Sequence, residues 1–260
     1  MRYALCIGIN DYPGTGSDLS GCVNDAHDWA QELTKRGFDV ELMLDGAATG
    51  DAMREAMRRR VRAGESGDVV VITYSGHGTW VPDADGDEPD RRDEALCPYD
   101  IGTAGPLLDD ELFDILSDRE RGVRVVMVAD SCHSGSVARL APPAGPDARR
   151  VRFLPPSVFL SPAETARARA LTRVASGRPR QSALLMSGCQ DFEFSYDATF
   201  DGRPNGAFTY LALTALRELP PTATYRDWSA AIARALPSQD YPQTPGLQGS
   251  SSQRRWSVLA

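Results

Sequence analysis

Two short stretches of this sequence carry the residue types that covalent catalysis needs. His77 lies in Tyr74-Ser-Gly-His-Gly78, and Cys132 lies in Asp130-Ser-Cys-His-Ser-Gly135. A thiolate is a strong nucleophile, and a nearby imidazole can take the thiol proton and later hand it to a leaving group. Gly76 and Gly78 allow close backbone approach, and the amides of Gly78 and Cys132 are suited to an oxyanion hole. A metal site fits less well. Cys132 and His133 are adjacent, there is no Cys-x-x-Cys, and no His/Cys pair has zinc-ligand spacing. His133 points away from its neighbour on most backbones, which leaves His77 as the base. Cys6, Cys97 and Cys189 fit small buried hydrophobes, and His27 falls on a polar helix face.

The elements that must position these groups follow from hydrophobic periodicity. Apolar runs predict strands over 3–9, 39–44, 68–74 and 123–129. Helical spacing predicts helices over 23–33, 52–62 and 109–117. Continuous apolar strands separated by helices imply a mostly parallel sheet covered on both faces. His77 and Cys132 then follow the third and fourth strands, in the crevice where such sheets bind ligands. From 141 to 181 the chain turns rich in Pro, Ala and Arg and reads as a surface excursion, with a short helix over 163–174. Regular structure resumes with a strand at 182–187, helices over 206–219 and 225–236, and a final strand at 255–259. Residues 238–253, rich in Pro, Gly, Ser and Gln, read as loop.

The two motifs, about 55 residues apart, resemble those of caspase-like cysteine peptidases, specifically the metacaspase branch. The segments Ala4-Leu-Cys-Ile-Gly-Ile-Asn-Asp-Tyr12, Leu19-Ser-Gly-Cys-Val-Asn-Asp-Ala26, Met186-Ser-Gly-Cys-Gln-Asp191 and Asn205-Gly-Ala-Phe-Thr-Tyr210 extend the likeness. It implies an α/β fold, a caspase-like α/β/α sandwich with a six-stranded, mainly parallel sheet whose last strand is antiparallel. It implies one peptidase domain over 1–260: a large portion at 1–140, a linker at 141–181 and a small portion at 182–260. It also implies a His77–Cys132 dyad cleaving polypeptides after Arg or Lys, with Asp25, Asp130, Cys22 and Ser75 lining the S1 pocket.

Carboxylates suit that pocket because they can grip a guanidinium bidentately. The plainer alternatives are a helix-start carboxylate for Asp25 and a loop cap for Asp130. The family is often cut after a basic residue in the linker, where Arg149, Arg150, Arg152, Arg167, Arg169, Arg173, Arg178 and Arg180 stand. Those arginines read equally as an exposed basic loop.

The chemistry requires no cofactor, but many metacaspases are stimulated by calcium. The matching ligands are Asp93, Asp109 and Asp110, while Arg139 takes the fourth position, where a cation would compete with the metal. The acidic run 83–90 is not an EF-hand, since Glu88 stands where the loop needs Gly and the closing Glu is absent.

With 260 residues, 42% hydrophobic, and a net charge of −8, the chain is a globular protein poorly suited to nucleic acid or anionic membrane. No apolar run reaches a membrane span, and the start lacks a signal-peptide pattern. Five cysteines without a secretory segment favour free thiols and a cytoplasmic setting. The expectation is a bacterial monomer acting on protein substrates. Two other readings predict different outcomes: a catalytically silent scaffold that binds a partner, and a hydrolase using metal held by the 83–93 carboxylates.

Overall fold

The computed structural model describes residues 1–82, 92–132, 150–165, 182–190 and 193–260. The run 83–91, His133, Arg139, Arg149 and the arginines from 167 to 180 lie outside these, as does most of the 163–174 helix, of which 162–165 is helical. In chain order the strands are β1 (Arg2–Gly8), β2 (Asp39–Leu44), β3 (Val69–Ser75), β4 (Gly78–Pro82), β5 (Arg92–Leu96), β6 (Leu107–Leu108), β7 (Arg124–Asp130), β8 (Arg150–Val151), β9 (Leu184–Ser187), β10 (Tyr196–Phe200), β11 (Arg203–Gly206) and β12 (Gly246–Gln248). The helices are α1 (Cys22–Lys35), α2 (Gly50–Arg62), α3 (Ile101–Ala104), α4 (Asp109–Ser117), α5 (Ala207–Glu218) and α6 (Tyr225–Ile232). None of them is long and apolar enough to cross a membrane.

The central sheet runs in the order β12-β9-β7-β3-β1-β2. All pairings are parallel except β12 with β9. Side chains alternate across it with period two. Leu5, Ile7, Val70, Ile72, Val125 and Met127 meet α2 and α4 on one face. Ala4, Cys6, Val71, Val126 and Val128 meet α1, α5 and α6 on the other. Both faces are buried, which is why these strands are apolar throughout.

Two details depart from the sequence reading. The antiparallel sixth strand is β12, inside the segment read as loop, rather than 255–259. Val258 and Leu259 are buried against α6, where Leu259 N–H donates to the Tyr225 hydroxyl, so their apolar character reflects helix packing. β12 is a three-residue edge strand held by ladder bonds to β9, and backbone pairing leaves little mark on side-chain pattern.

The second departure matters more. The excursion is not all surface: Arg152, Phe153, Leu154 and Pro156 are buried. β8 pairs antiparallel with β10, and β10 with β11, forming a small second sheet beside the central one. A third, β4-β5-β6, begins one residue after His77.

Candidate active site

The site lies at the carboxyl ends of β1, β3 and β7. Ser75 and Asp130 face each other in the β3–β7 ladder, so His77 and Cys132 leave adjacent strands side by side. The turn carrying His77 is pinned at both backbone polar groups. His77 N–H donates to the Tyr12 hydroxyl, and its carbonyl accepts from Cys97 N–H and the Tyr74 hydroxyl. Tyr12 also packs on the imidazole with ring centroids 4.7 Å apart. Gly76 permits this arrangement, since a Cβ there would sit 2.6 Å from both tyrosine hydroxyls.

The imidazole has a defined polarity. Its Nε2 lies 2.6 Å from the carbonyl oxygen of Ser17, which can only accept, so Nε2 carries the proton. Nδ1 is therefore the ring's lone pair, buried and, among the described residues, without a hydrogen-bond partner of good geometry. Burial pushes the pKa of His77 down to about 4, with the Ser17 bond opposing. Cys132 is buried, and its thiol donates to the Ser195 carbonyl at 3.4 Å while accepting from Ser195 N–H. As placed, the thiol is engaged by the Ser195 backbone rather than by Nδ1.

Arg152 is fully buried with its guanidinium among three carboxylates. Nη2 lies 2.7 Å from Asp25 and 3.0 Å from Asp197, and Nη1 lies 3.0 Å from Asp130. Each carboxylate is also held by donors of its own. Asp25 accepts from Asn205 and Gly206 N–H, Asp130 from Thr209 and Ser195, and Asp197 from the amides of Ser20 and Gly21 at the start of α1. The nest is thus preorganised independently of its cation. A Cβ at Gly206 would collide with both Asp130 Oδ2 and Arg152 Nη1, so that position must lack a side chain. Burial pushes the Asp25 carboxyl up to about 6 against the pull of Arg152.

The backbone of Arg152 is held as firmly as its side chain. Its carbonyl oxygen accepts from Gly78 N–H at 3.0 Å and Cys132 N–H at 3.1 Å, and its N–H donates to the Ser195 carbonyl at 2.9 Å. On the far side, Leu154 N–H donates to the Gly78 carbonyl at 2.9 Å. A peptide group lies across two convergent amides beside a thiol and a free imidazole lone pair. That arrangement can perform acyl transfer.

Asp25 and Asp130 both contact the guanidinium. Cys22 is buried close enough to feel its charge, and Ser75 is buried beside Asp130; neither hydrogen-bonds it among the described residues. His27 is exposed, and Cys6, Cys97 and Cys189 are buried free thiols. Asp93 lies in β5, while Asp109 and Asp110 open α4. Among the described residues no three carboxylate, thiol or imidazole groups converge as metal ligands.

Sequence reasoning missed Asp197, Ser195, Tyr12, the Ser17 carbonyl and the seat of Arg152. Asp197 had a faint signal, as the one acid in a hairpin strand of otherwise uncharged residues, Tyr196, Ala198, Thr199 and Phe200. The others act through backbone groups or through contacts distant in sequence.

The family described as metacaspase, peptidase C14 domain matches residues 2–141. Metacaspase-7 of Arabidopsis thaliana is 40% identical over 146 residues, 52% of this chain and 35% of its own length. Metacaspase-1 of Saccharomyces cerevisiae (strain YJM789) is 31% identical over 96% of this chain and 66% of its own. The chain therefore spans about a third to two thirds of the length of these relatives. A crystal structure of a protein from Geobacter sulfurreducens superposes with a TM-score of 0.75 at 32% identity, covering 99% of this chain and 98% of that one.

Proposed function

The chain belongs to the metacaspase family of C14 peptidases, and on that premise we propose that it is a cysteine endopeptidase cleaving after Arg, and less readily after Lys. The observation that carries this reading is Arg152, whose guanidinium sits among Asp25, Asp130 and Asp197 while its carbonyl oxygen lies on the amides of Gly78 and Cys132. In this reading the segment 150–154 occupies the site as a substrate does, and the Arg152–Phe153 bond is the scissile bond of a self-processing step.

His77 Nδ1 takes the proton from Cys132, and the thiolate attacks the carbonyl carbon of the P1 residue. The two amides hold the resulting oxyanion. As the C–N bond breaks, Nδ1–H protonates the departing amine, leaving a thioester on Cys132. Water, deprotonated by the same nitrogen, then releases the carboxylic acid and restores the thiol. No cofactor enters these steps.

Arg is preferred because its planar fork can engage two carboxylates at once, whereas Lys offers a single point charge. The proposal includes a cytoplasmic, monomeric enzyme acting on polypeptides, without nucleic-acid or membrane partners. A silent scaffold is disfavoured because nucleophile, base and oxyanion donors are all present around one peptide group.

Purified protein should yield a fragment beginning at Phe153, and should cleave fluorogenic peptides ending in Arg. Cys132→Ala should abolish both, by more than about 10³-fold for the peptides. Retention of a tenth of the activity in that variant, or a preference for Asp at P1, would overturn the reading.

A further inference from the structure

Cys189 has no part in the chemistry proposed for Cys132, yet the two residues lie in the same small apolar cluster. The β7–β9 ladder pairs Ala129 with Ser187 in parallel, and Gly188 N–H continues it by donating to the Ala129 carbonyl at 2.8 Å. Cys189 follows on one strand and Cys132 on the other. The Cys189 thiol donates to the carbonyl of Ser131, the residue before Cys132, at 3.5 Å, and Cys132 is close enough to perturb its ionisation. Trp80, Phe153 and Phe194 share one small apolar cluster with the two cysteines. Among the described residues Cys6, Cys22 and Cys97 lie in the two other clusters, so Cys132 and Cys189 are paired by position.

From this juxtaposition we infer that Cys132 and Cys189 form a reversible disulfide under oxidation by a hydroperoxide, switching the nucleophile off and protecting it from irreversible oxidation. In the first step the Cys132 sulfur attacks the distal peroxide oxygen and the O–O bond breaks. This leaves a sulfenic acid on Cys132, and the thiol proton goes to the departing alkoxide. In the second step the Cys189 sulfur attacks the sulfenic sulfur. The S–O bond breaks, the S–S bond forms, and hydroxide leaves with the Cys189 proton as water. The balance is two thiols and one hydroperoxide to one disulfide, one alcohol and one water. A dithiol reverses the change by thiol–disulfide exchange.

The roles are asymmetric. The neighbouring Cys132 thiol and burial push the Cys189 thiol pKa up, which keeps it protonated at rest. It is therefore the resolving partner, while Cys132 sits at the substrate cleft and meets the oxidant first. A transient disulfide of this kind suits a reducing compartment, where lasting structural disulfides are rare. Both cysteines are buried in the cluster that holds Phe153, so, on the proposed function, the pair reacts once segment 150–154 is displaced or cleaved.

The identity of the switch does not depend on the enzyme's specificity, and its test reads mass as well as activity. The self-processed protein is treated with hydrogen peroxide and digested for peptide mass mapping with thiols blocked. A cross-linked peptide pair containing Cys132 and Cys189, 2 Da lighter than the two thiols and absent after dithiothreitol, is the expected result. Activity on an Arg-ending peptide, where present, should fall more than tenfold with peroxide and return to at least about four fifths with dithiothreitol. In Cys189→Ala, Cys132 should instead accumulate as sulfinic acid, and dithiothreitol should restore less than a fifth. Absence of the cross-linked pair while Cys132 oxidises, or equal recovery in both proteins, would overturn the inference. A cross-linked pair found in protein that cleaves no peptide would sustain it while failing the proposed function.

Discussion

Arg60 and Arg152 each meet more than one carboxylate, and their surroundings make them opposites. Arg60, on α2, pairs with Asp39 and Glu41 of β2, with the Asp39 side chain well exposed. Such surface pairs contribute from nothing to about 1 kcal/mol and weaken with salt. Arg152 and its three carboxylates are withdrawn from water, where an unmatched charge is costly. The difference teaches what an arginine-rich sequence conceals. The surface arginines are stuck to the fold, whereas Arg152 fills a pocket built by others, with every wall already hydrogen-bonded without it.

Removing the guest is the largest test of that contrast. In a Cys132→Ala background, which keeps the chain intact, Arg152→Gln leaves three buried carboxylates without their cation. A loss of about 3–5 kcal/mol is expected by denaturant unfolding. Added arginine methyl ester should restore part of it by mass action. No destabilisation would mean that the nest is not an ion-pair site.

Altering the wall comes next. Asp130→Asn keeps shape and removes charge. It should lower kcat/KM on Arg-ending peptides about 10²–10³-fold, the scale of losing one partner of a buried charge pair. Alkylation of Cys132 by iodoacetamide should stay within about twofold. If both readouts collapse together, Asp130 shapes the Cys132 loop through its bonds to Ser195 and Thr209.

A smaller effect separates the two regions by pH. His77 falls from 6.5 to about 4 on burial, so between those values the unfolded chain binds a proton that the folded chain excludes. Stability therefore rises with pH across this window and is fully present above about 6.5. Lowering the pH from 7 to 5 should cost on the order of 1–2 kcal/mol through this group. In the Cys132→Ala background, His77→Asn should flatten that part of the slope, measured by urea unfolding at each pH. An unchanged slope would mean that the imidazole is not held neutral.

The smallest effect belongs to the surface pair. Arg60→Gln should change stability by less than about 1 kcal/mol, and the change should shrink further in 0.5 M salt. A loss rivalling that of Arg152→Gln would erase the distinction.

Much of this was legible in sequence order. His77 and Cys132 sit just past apolar runs that read as buried strands, which the structure makes neighbours, and the family resemblance pointed to Asp25 and Asp130. Arg152 was not legible as a site residue, because it was one arginine among many in a segment of loop-like composition. Nor was the partnership of Cys189 with Cys132: alone, a buried cysteine reads as a small hydrophobe.

The physical divide runs between short-range and long-range information. Hydrophobic period, turn residues and the chemistry of individual side chains are local properties, so the amino-acid sequence by itself determined the parallel strands of the sheet, most of its covering helices and the position of His77 and Cys132 just past two of those strands. The third carboxylate, the tautomer set by the Ser17 carbonyl, the thiol pair and the choice of Arg152 depend on backbone groups and on contacts between residues far apart in the chain. Backbone polar groups are the same at every position, so no sequence pattern marks which ones converge. Only the tertiary structure decided that.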